Sequence, residues 1–132
     1  MSIEKSIEIL NPLDMSLQLL HLKELKPGWL EGDGEVPDPS DLDWLGILWE
    51  DYFQALTDPY LYPMADGNVI IEWKIPDIAL NLEVDLPNKQ AILFHFDKKT
   101  DFDETFEYDL RDENRIRQLV AEVKKYAGEK DE

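Results

Sequence analysis

The sequence predicts an α+β domain: two N-terminal helices, a four-stranded antiparallel β-meander, and a C-terminal helix packed on one sheet face. Three observations predict it. Helix-start and helix-stop residues bracket apolar positions at helical spacing near both ends of the chain. Between residues 69 and 110 the apolar pattern changes to alternation, the period of a strand. The separators between the alternating runs are short, which makes a meander the economical topology.

The first helix is expected from Asn11-Pro12-Leu13-Asp14, with Asn11 as cap, proline at the first helical position and a carboxylate in the first turn. Leu13, Leu17 and Leu20, with Met15, Leu19 and Leu22 on an adjoining stripe, form a wide apolar arc that ends at Pro27-Gly28. Such a helix should be largely buried. Gly, Pro, Asp and Glu dominate residues 28–40, predicting an irregular loop. A second helix follows, capped by Asp38 or Ser40, and runs to about Leu56. Leu42, Leu45, Leu48, Trp49, Tyr52, Phe53 and Leu56 share its broad apolar face. Trp44 and Ile47 fall outside that arc and flank Asp51, so they resemble simple core least.

In the sheet, one face is assigned Val69, Ile71 and Trp73, then Ile78, Leu80, Leu82 and Val84, then Ile92, Phe94 and Phe96, then Phe102, Phe106, Tyr108 and Leu110. Placing Leu82 opposite Phe94 requires an odd-numbered loop, which Pro87-Asn88-Lys89 supplies. The last helix, from Arg111 or Asp112 to Ala127, has Ile116, Leu119, Val120 and Val123 at helical spacing and Gly128 just past its end. Residues 1–128 are thus read as one domain and residues 129–132 as a disordered tail.

The formal charge of −17 is spread over the chain, with net −10 in residues 1–60 and net −7 in residues 61–132. Nucleic acids and anionic membranes repel such a chain. A basic protein partner is attracted and steered, with strong salt dependence. The absence of cysteine excludes disulfides, thiolate catalysis and zinc-thiolate or iron–sulfur sites. No secretory leader or membrane span is legible, so the expected location is cytoplasmic.

Residues 27–73 hold eleven carboxylates and all four tryptophans but no Lys or Arg until Lys74. Acids next to large apolar side chains suggest a partner-binding surface, built from Glu31, Asp33, Glu35, Asp38, Asp43, Trp44, Ile47 and Asp51. The plainer reading is that each Trp is core and each acid is solvated. The sheet's polar face offers Glu72, Asn81, Glu83 and His95, where one histidine among carboxylates suits a general base. A solvated second face, with docking onto Ile70, Ala79 and Leu93, explains the same pattern. Glu31-Gly32-Asp33-Gly34-Glu35 fails the EF-hand test, since the sixth and twelfth positions are Val36 and Leu42. No metal or cofactor is expected, and His21 reads as a partly buried helix residue.

Leu22-Lys23-Glu24-Leu25, Gly28-Trp29, Gly32, Gly34 and Pro37, then Pro63 and Gly67-Asn68-Val69-Ile70-Ile71-Glu72-Trp73, together resemble a loosely defined group of short, uncharacterised bacterial proteins. Their pattern joins a leucine-rich first helix and a G-W-x-x-x-G loop to a P-x-x-x-G-x-V-x-I-E-W strand motif. Here the loop glycines stand at 32 and 34, and Asn68 replaces a second glycine in the turn. The resemblance implies a bacterial α+β domain and no catalytic residues. Trp29 and Trp73 read as architectural, with Trp73 covering the inner side of the glycine loop.

The leading functional expectation is a non-catalytic, strongly acidic protein-interaction module. Two other classes stand beside it: an inhibitor or antitoxin-like protein that mimics nucleic acid toward a basic partner, and a small hydrolase-like enzyme using the polar sheet face. A homodimer through the wide arc of the second helix is a further expectation.

Overall fold

Each helix begins where a carboxylate accepts the first amides. The computed structural model describes residues 13–130, and in it Asp14 caps α1 (Met15–Lys23) by accepting from the Ser16 amide at 3.0 Å. The expected cap Asn11 and Pro12 lie outside the described residues. Asp38 caps α2 (Pro39–Leu48), accepting from the Ser40 amide at 2.8 Å and hydroxyl at 2.6 Å. The second helix widens into a π-helical turn at Trp49–Phe53. Asp112 caps α3 (Glu113–Ala127), and Gly128 ends it with φ 76°.

The sheet has five strands, one more than the alternation indicated: β1 (Tyr60–Pro63), β2 (Val69–Ile75), β3 (Ile78–Asp85), β4 (Gln90–Asp97) and β5 (Phe102–Asp109). All neighbours are antiparallel, in chain order. The extra strand, β1, is only four residues long and ends in proline, so no alternation betrays it. An edge strand tolerates that proline. The outer edge of β1 is closed by Gln18 of α1, whose Nε2 donates to Pro59 O at 2.8 Å and whose Oε1 accepts from Leu61 N at 2.8 Å.

The register of β4 differs from the expectation. Asp85 pairs with Gln90, leaving a four-residue connection, and Leu82 lies opposite Leu93 rather than Phe94. Leu86 belongs to that connection and is fully buried. Asp85 holds the turn, accepting from Asn88 N at 3.2 Å and Asn88 Nδ2 at 2.9 Å. A change of one residue in loop length exchanges the faces of the following strand. Ala91, Leu93 and His95 therefore face inward, and Ile92, Phe94 and Phe96 face outward.

All helices and the inner sheet face share one hydrophobic cluster, with Met15, Leu19, Leu22, Leu42, Leu45, Leu119 and Val123 against Ile71, Leu80, Leu82 and Leu93. At its centre Trp49 stacks on Phe53 at 4.6 Å and on Trp73 at 6.1 Å. Trp73 thus lies beneath the second helix, not under the glycine loop, and its Nε1 donates to Thr57 O at 3.0 Å. Only half of the arc on α1 is buried: Leu13, Leu17 and Leu20 are exposed.

The loop before α2 is folded. Trp29 Nε1 donates to Glu35 O at 2.8 Å, and Gly28 N donates to Gly34 O at 2.9 Å. Gly34 has φ 99°, and a Cβ there would meet Trp29 Nε1 at 2.8 Å, so only glycine fits. At the other end, the expected tail is partly anchored: Lys130 N donates to Ala55 O at 2.8 Å and Glu129 bridges Leu56. Residues 131–132 lie outside the described residues.

The register has a direct test in chemical denaturation. Leu93→Ala should cost about 2–5 kcal/mol, the usual range for a buried leucine, whereas Phe94→Ala on the outer face should cost about 1 kcal/mol; the reverse order would restore Phe94 to the core. The Asp38 cap supplies a pH signature. Its bonds to Ser40, the hydroxyl first, hold the carboxyl below its ordinary 3.8. A carboxylate lowered by folding stabilises at every pH above its unfolded value and loses that effect as pH falls through the folded one. Asp38→Ala should therefore lower the melting temperature at neutral pH, and its gap from the parent should close as the pH falls below the ordinary carboxylate value of 3.8.

Candidate functional site

Side chains directly opposite across antiparallel strands share a face, so the outer surface of the sheet can be read from its pairings. Glu83, Ile92 and Glu107 form one cross-strand row; Asn81, Phe94 and Thr105 the next; Ala79, Phe96 and Asp103 the third; Asp85, Gln90 and Asp109 close the end. Along the strands, the same grid becomes an apolar stripe of Ile92, Phe94 and Phe96 on β4. It is bordered by Glu83 and Asp85 on β3, and by Asp103, Glu107 and Asp109 on β5. Ile70 and Glu72 on β2, and Tyr60 and Tyr62 on β1, extend the face beyond β3.

None of Ile70, Ala79, Ile92, Phe94 or Phe96 belongs to the hydrophobic cluster on the inner side. All of them are partly exposed. Among the described residues of these strands, Lys74 is the one base on this face; it lies 3.7 Å from Glu72 and over the Tyr60 ring at 5.0 Å. Arg111 takes Asp109 at 3.1 Å, and its amide and guanidinium hold that carboxyl below its ordinary range. Among the described residues no cation lies within ion-pair distance of Glu83, Asp85, Asp103 or Glu107. Arg115 is directed instead to the Glu107 carbonyl and, at 4.7 Å, to the Tyr108 ring. At one end the stripe opens into a depression of about 210 Å³, lined by Asp66, Glu83, Asp85 and Glu107 together with Ile92 and Met64.

A second exposed apolar surface lies between α1 and α2. Leu17, Leu20 and Ile47, exposed by 46%, 52% and 59%, line a groove of about 710 Å³ with Gly46 and Trp49. Its charges are mixed: Asp14, Asp43 and Glu50 against Lys23 and Lys130. Lys23 is paired with Asp43, and Lys130 with Asp58 at 3.1 Å.

The residues proposed from sequence are dispersed over these features. Asp43 and Ile47 meet in the groove, but Glu31, Asp33, Glu35, Asp38, Trp44 and Asp51 do not line it. Trp44 packs partly into the core, with Lys89 Nζ 4.5 Å over its ring and 2.8 Å from Asp41. Glu31, Asp33 and Glu35 belong to the loop around Trp29, which is pinned by Glu35 N donating to Ala65 O at 2.8 Å. Glu72, Asn81 and Glu83 do share the outer face. His95 does not. The four-residue turn carries it inward, where it is 5% exposed and stacked on Tyr126 at 4.2 Å. Neither ring nitrogen has a hydrogen-bond partner; Glu104 Oε1 is 3.5 Å from Nδ1, beyond an ordinary bond. Sequence reasoning missed the stripe because it assigned Ile92, Phe94 and Phe96 to the core. The signal that could have found it is Leu86, an apolar residue beside Pro87 that lengthens the turn by one.

Among the described residues no group of His, Cys, Asp and Glu could hold a metal ion, and no helix is long and apolar enough to cross a membrane. What the fold and this face define is an α+β protein with an antiparallel meander, helices on its inner side, and an apolar stripe between carboxylates on its outer side. No family model matches the chain, and no curated protein or solved structure matches it significantly.

A buried polar atom left without a hydrogen-bond partner costs about 1–3 kcal/mol. His95→Phe, which replaces two unpaired buried nitrogens by carbon in a slot already stacked on Tyr126, should raise stability by about 1 kcal/mol in urea unfolding. A loss would show that the imidazole makes a bond absent from this geometry.

Proposed function

We propose that this chain is a non-catalytic, strongly acidic protein-interaction module whose contact surface is the outer face of its sheet. The observation that carries the proposal is the stripe of Ile92, Phe94 and Phe96 outside the core, bordered by Glu83, Asp85, Asp103 and Glu107, which have no cation within ion-pair distance among the described residues. A solvated antiparallel face is normally polar, and partly exposed rings rimmed by charge are what interaction patches look like. The −17 charge adds long-range attraction for a basic partner. A nucleic-acid mimic needs rows of negative charge and gains nothing from an apolar stripe between them, which disfavours that alternative. The enzymatic alternative loses its base, because His95 is buried on the opposite side. A bacterial cytosol accords with the loop and strand motifs and with a chain that has no cysteine.

A second reading is self-association through the groove between α1 and α2. It is favoured by the exposure of Leu17, Leu20 and Ile47 where local charges nearly cancel. The two readings respond oppositely to salt. Screening weakens attraction for a basic partner but relieves repulsion between two copies of the same acidic chain.

Proteins retained from a host lysate at about 50 mM salt should be released by about 500 mM, and Phe94→Ser should lose the same proteins while keeping the parent's circular dichroism. Unchanged retention by Phe94→Ser and by Ile92→Ser would overturn the site. In sedimentation, a dimer that strengthens with salt and disappears in Ile47→Ser would establish the second reading.

A further inference from the structure

We infer that the stripe on β4 seats an amphipathic helix of the partner that carries Lys or Arg along both borders of its apolar face; this rests on the outer face being the docking surface. The dimensions fit. Strands lie about 4.8 Å apart, so the outer columns of β3 and β5 that carry the bordering acids, with Asn81 and Thr105 between those acids, are separated by about 10 Å, the diameter of a helix. From Ile92 to Phe96 the stripe runs about 14 Å, which three helical turns cover. A helix there meets Ile92, Phe94 and Phe96 with its apolar positions and presents basic side chains to Glu83 and Asp85 on one side and to Asp103 and Glu107 on the other.

The depression beside Ile92 gives one end of the stripe its polarity. Asp66, Glu83, Asp85 and Glu107 around about 210 Å³ suit an ammonium or guanidinium head on a long stem, with the stem against Ile92. An extended strand is the less suitable occupant, because both sheet edges are guarded. Gln18 saturates β1 at Pro59 and Leu61. On β5, Arg115 occupies the Glu107 carbonyl, and the strand carries Asp103, Glu104, Glu107 and Asp109. A helix instead lays itself on the face, and mirrors the layer that α1 to α3 form on the inner side.

The test titrates the full chain with a synthetic peptide of about 14 residues, leucine at helical spacing and lysine bordering the leucines, followed by fluorescence anisotropy and by amide NMR shifts. A second peptide of the same composition has its leucines scattered around the helix. The patterned peptide should bind at least about tenfold more tightly than the scattered one and shift residues of β3, β4 and β5. Its affinity should fall about tenfold in Phe94→Ser, and several-fold in the fold-neutral double variant Glu83→Gln/Glu107→Gln, which keeps the test decisive if Phe94→Ser fails to fold. Equal binding of both peptides, abolished in Phe94→Ser, would leave the docking surface standing and discard the helix. Shifts confined to Leu17, Leu20 and Ile47, with no effect of the outer-face variants, would discard the surface itself. A tenfold gain in the full chain carrying I7S and L10S would assign the stripe to residues 1–12 and overturn the inference, as would a dimer of the chain alone that Phe94→Ser dissolves.

Discussion

The connection between β3 and β4 governs what each face of the sheet can do. Asp85 binds the amide and side chain of Asn88, Lys89 turns the backbone at φ 56°, and Leu86 drops into the core. The connection spans four residues, and alternation along the strand does the rest. Leu93 and Ala91 complete the inner layer, so Ile92, Phe94 and Phe96 have no place in it. The surplus apolar surface outside and the unbonded imidazole inside are two results of one register.

The inner layer explains why the helices collect on a single side. Trp73, projecting inward from β2, stacks on Trp49 of the π-helical turn, while its ring nitrogen reaches the carbonyl of Thr57. The hydroxyl of Thr57 in turn donates to Ala127 O at 3.1 Å, at the end of α3. One aromatic cluster thus ties the second helix, the sheet and the last helix together. Burying rings of this size contributes a large share of a small domain's apolar stabilisation. It leaves the opposite face without a helical cover among the described residues.

Much of the fold was legible because it rests on local chemistry. Asp38-Pro39-Ser40 and Gly128 are strong boundary signals, and Val69-Ile71-Trp73 and Leu80-Leu82-Val84 alternate cleanly with polar residues. The β4 register was not legible. In Gln90-Ala91-Ile92-Leu93-Phe94-His95-Phe96 both parities are apolar enough to face a core, so periodicity alone cannot choose, and the larger set was assigned inward. The site misassignment followed from that choice, since His95 travels with Leu93. On α1 the wide leucine arc overstated burial, because only the Met15, Leu19 and Leu22 stripe is covered, with Leu19 against Gly46 of α2. Trp44 and Ile47, three residues apart, looked like one surface but turn to opposite neighbours, Lys89 and α1.

The glutamine that closes β1 has a wider meaning. A primary amide places an N–H donor and a C=O acceptor in nearly the spacing of a peptide group, so Gln18 counterfeits a unit of backbone beside Pro59 and Leu61, while its second N–H donates to Leu13 O. Glutamate could supply only the acceptor and would face the Pro59 carbonyl with like polarity. The side-chain amide therefore withdraws the exposed backbone groups of Pro59 and Leu61 from any further strand adding to this rim.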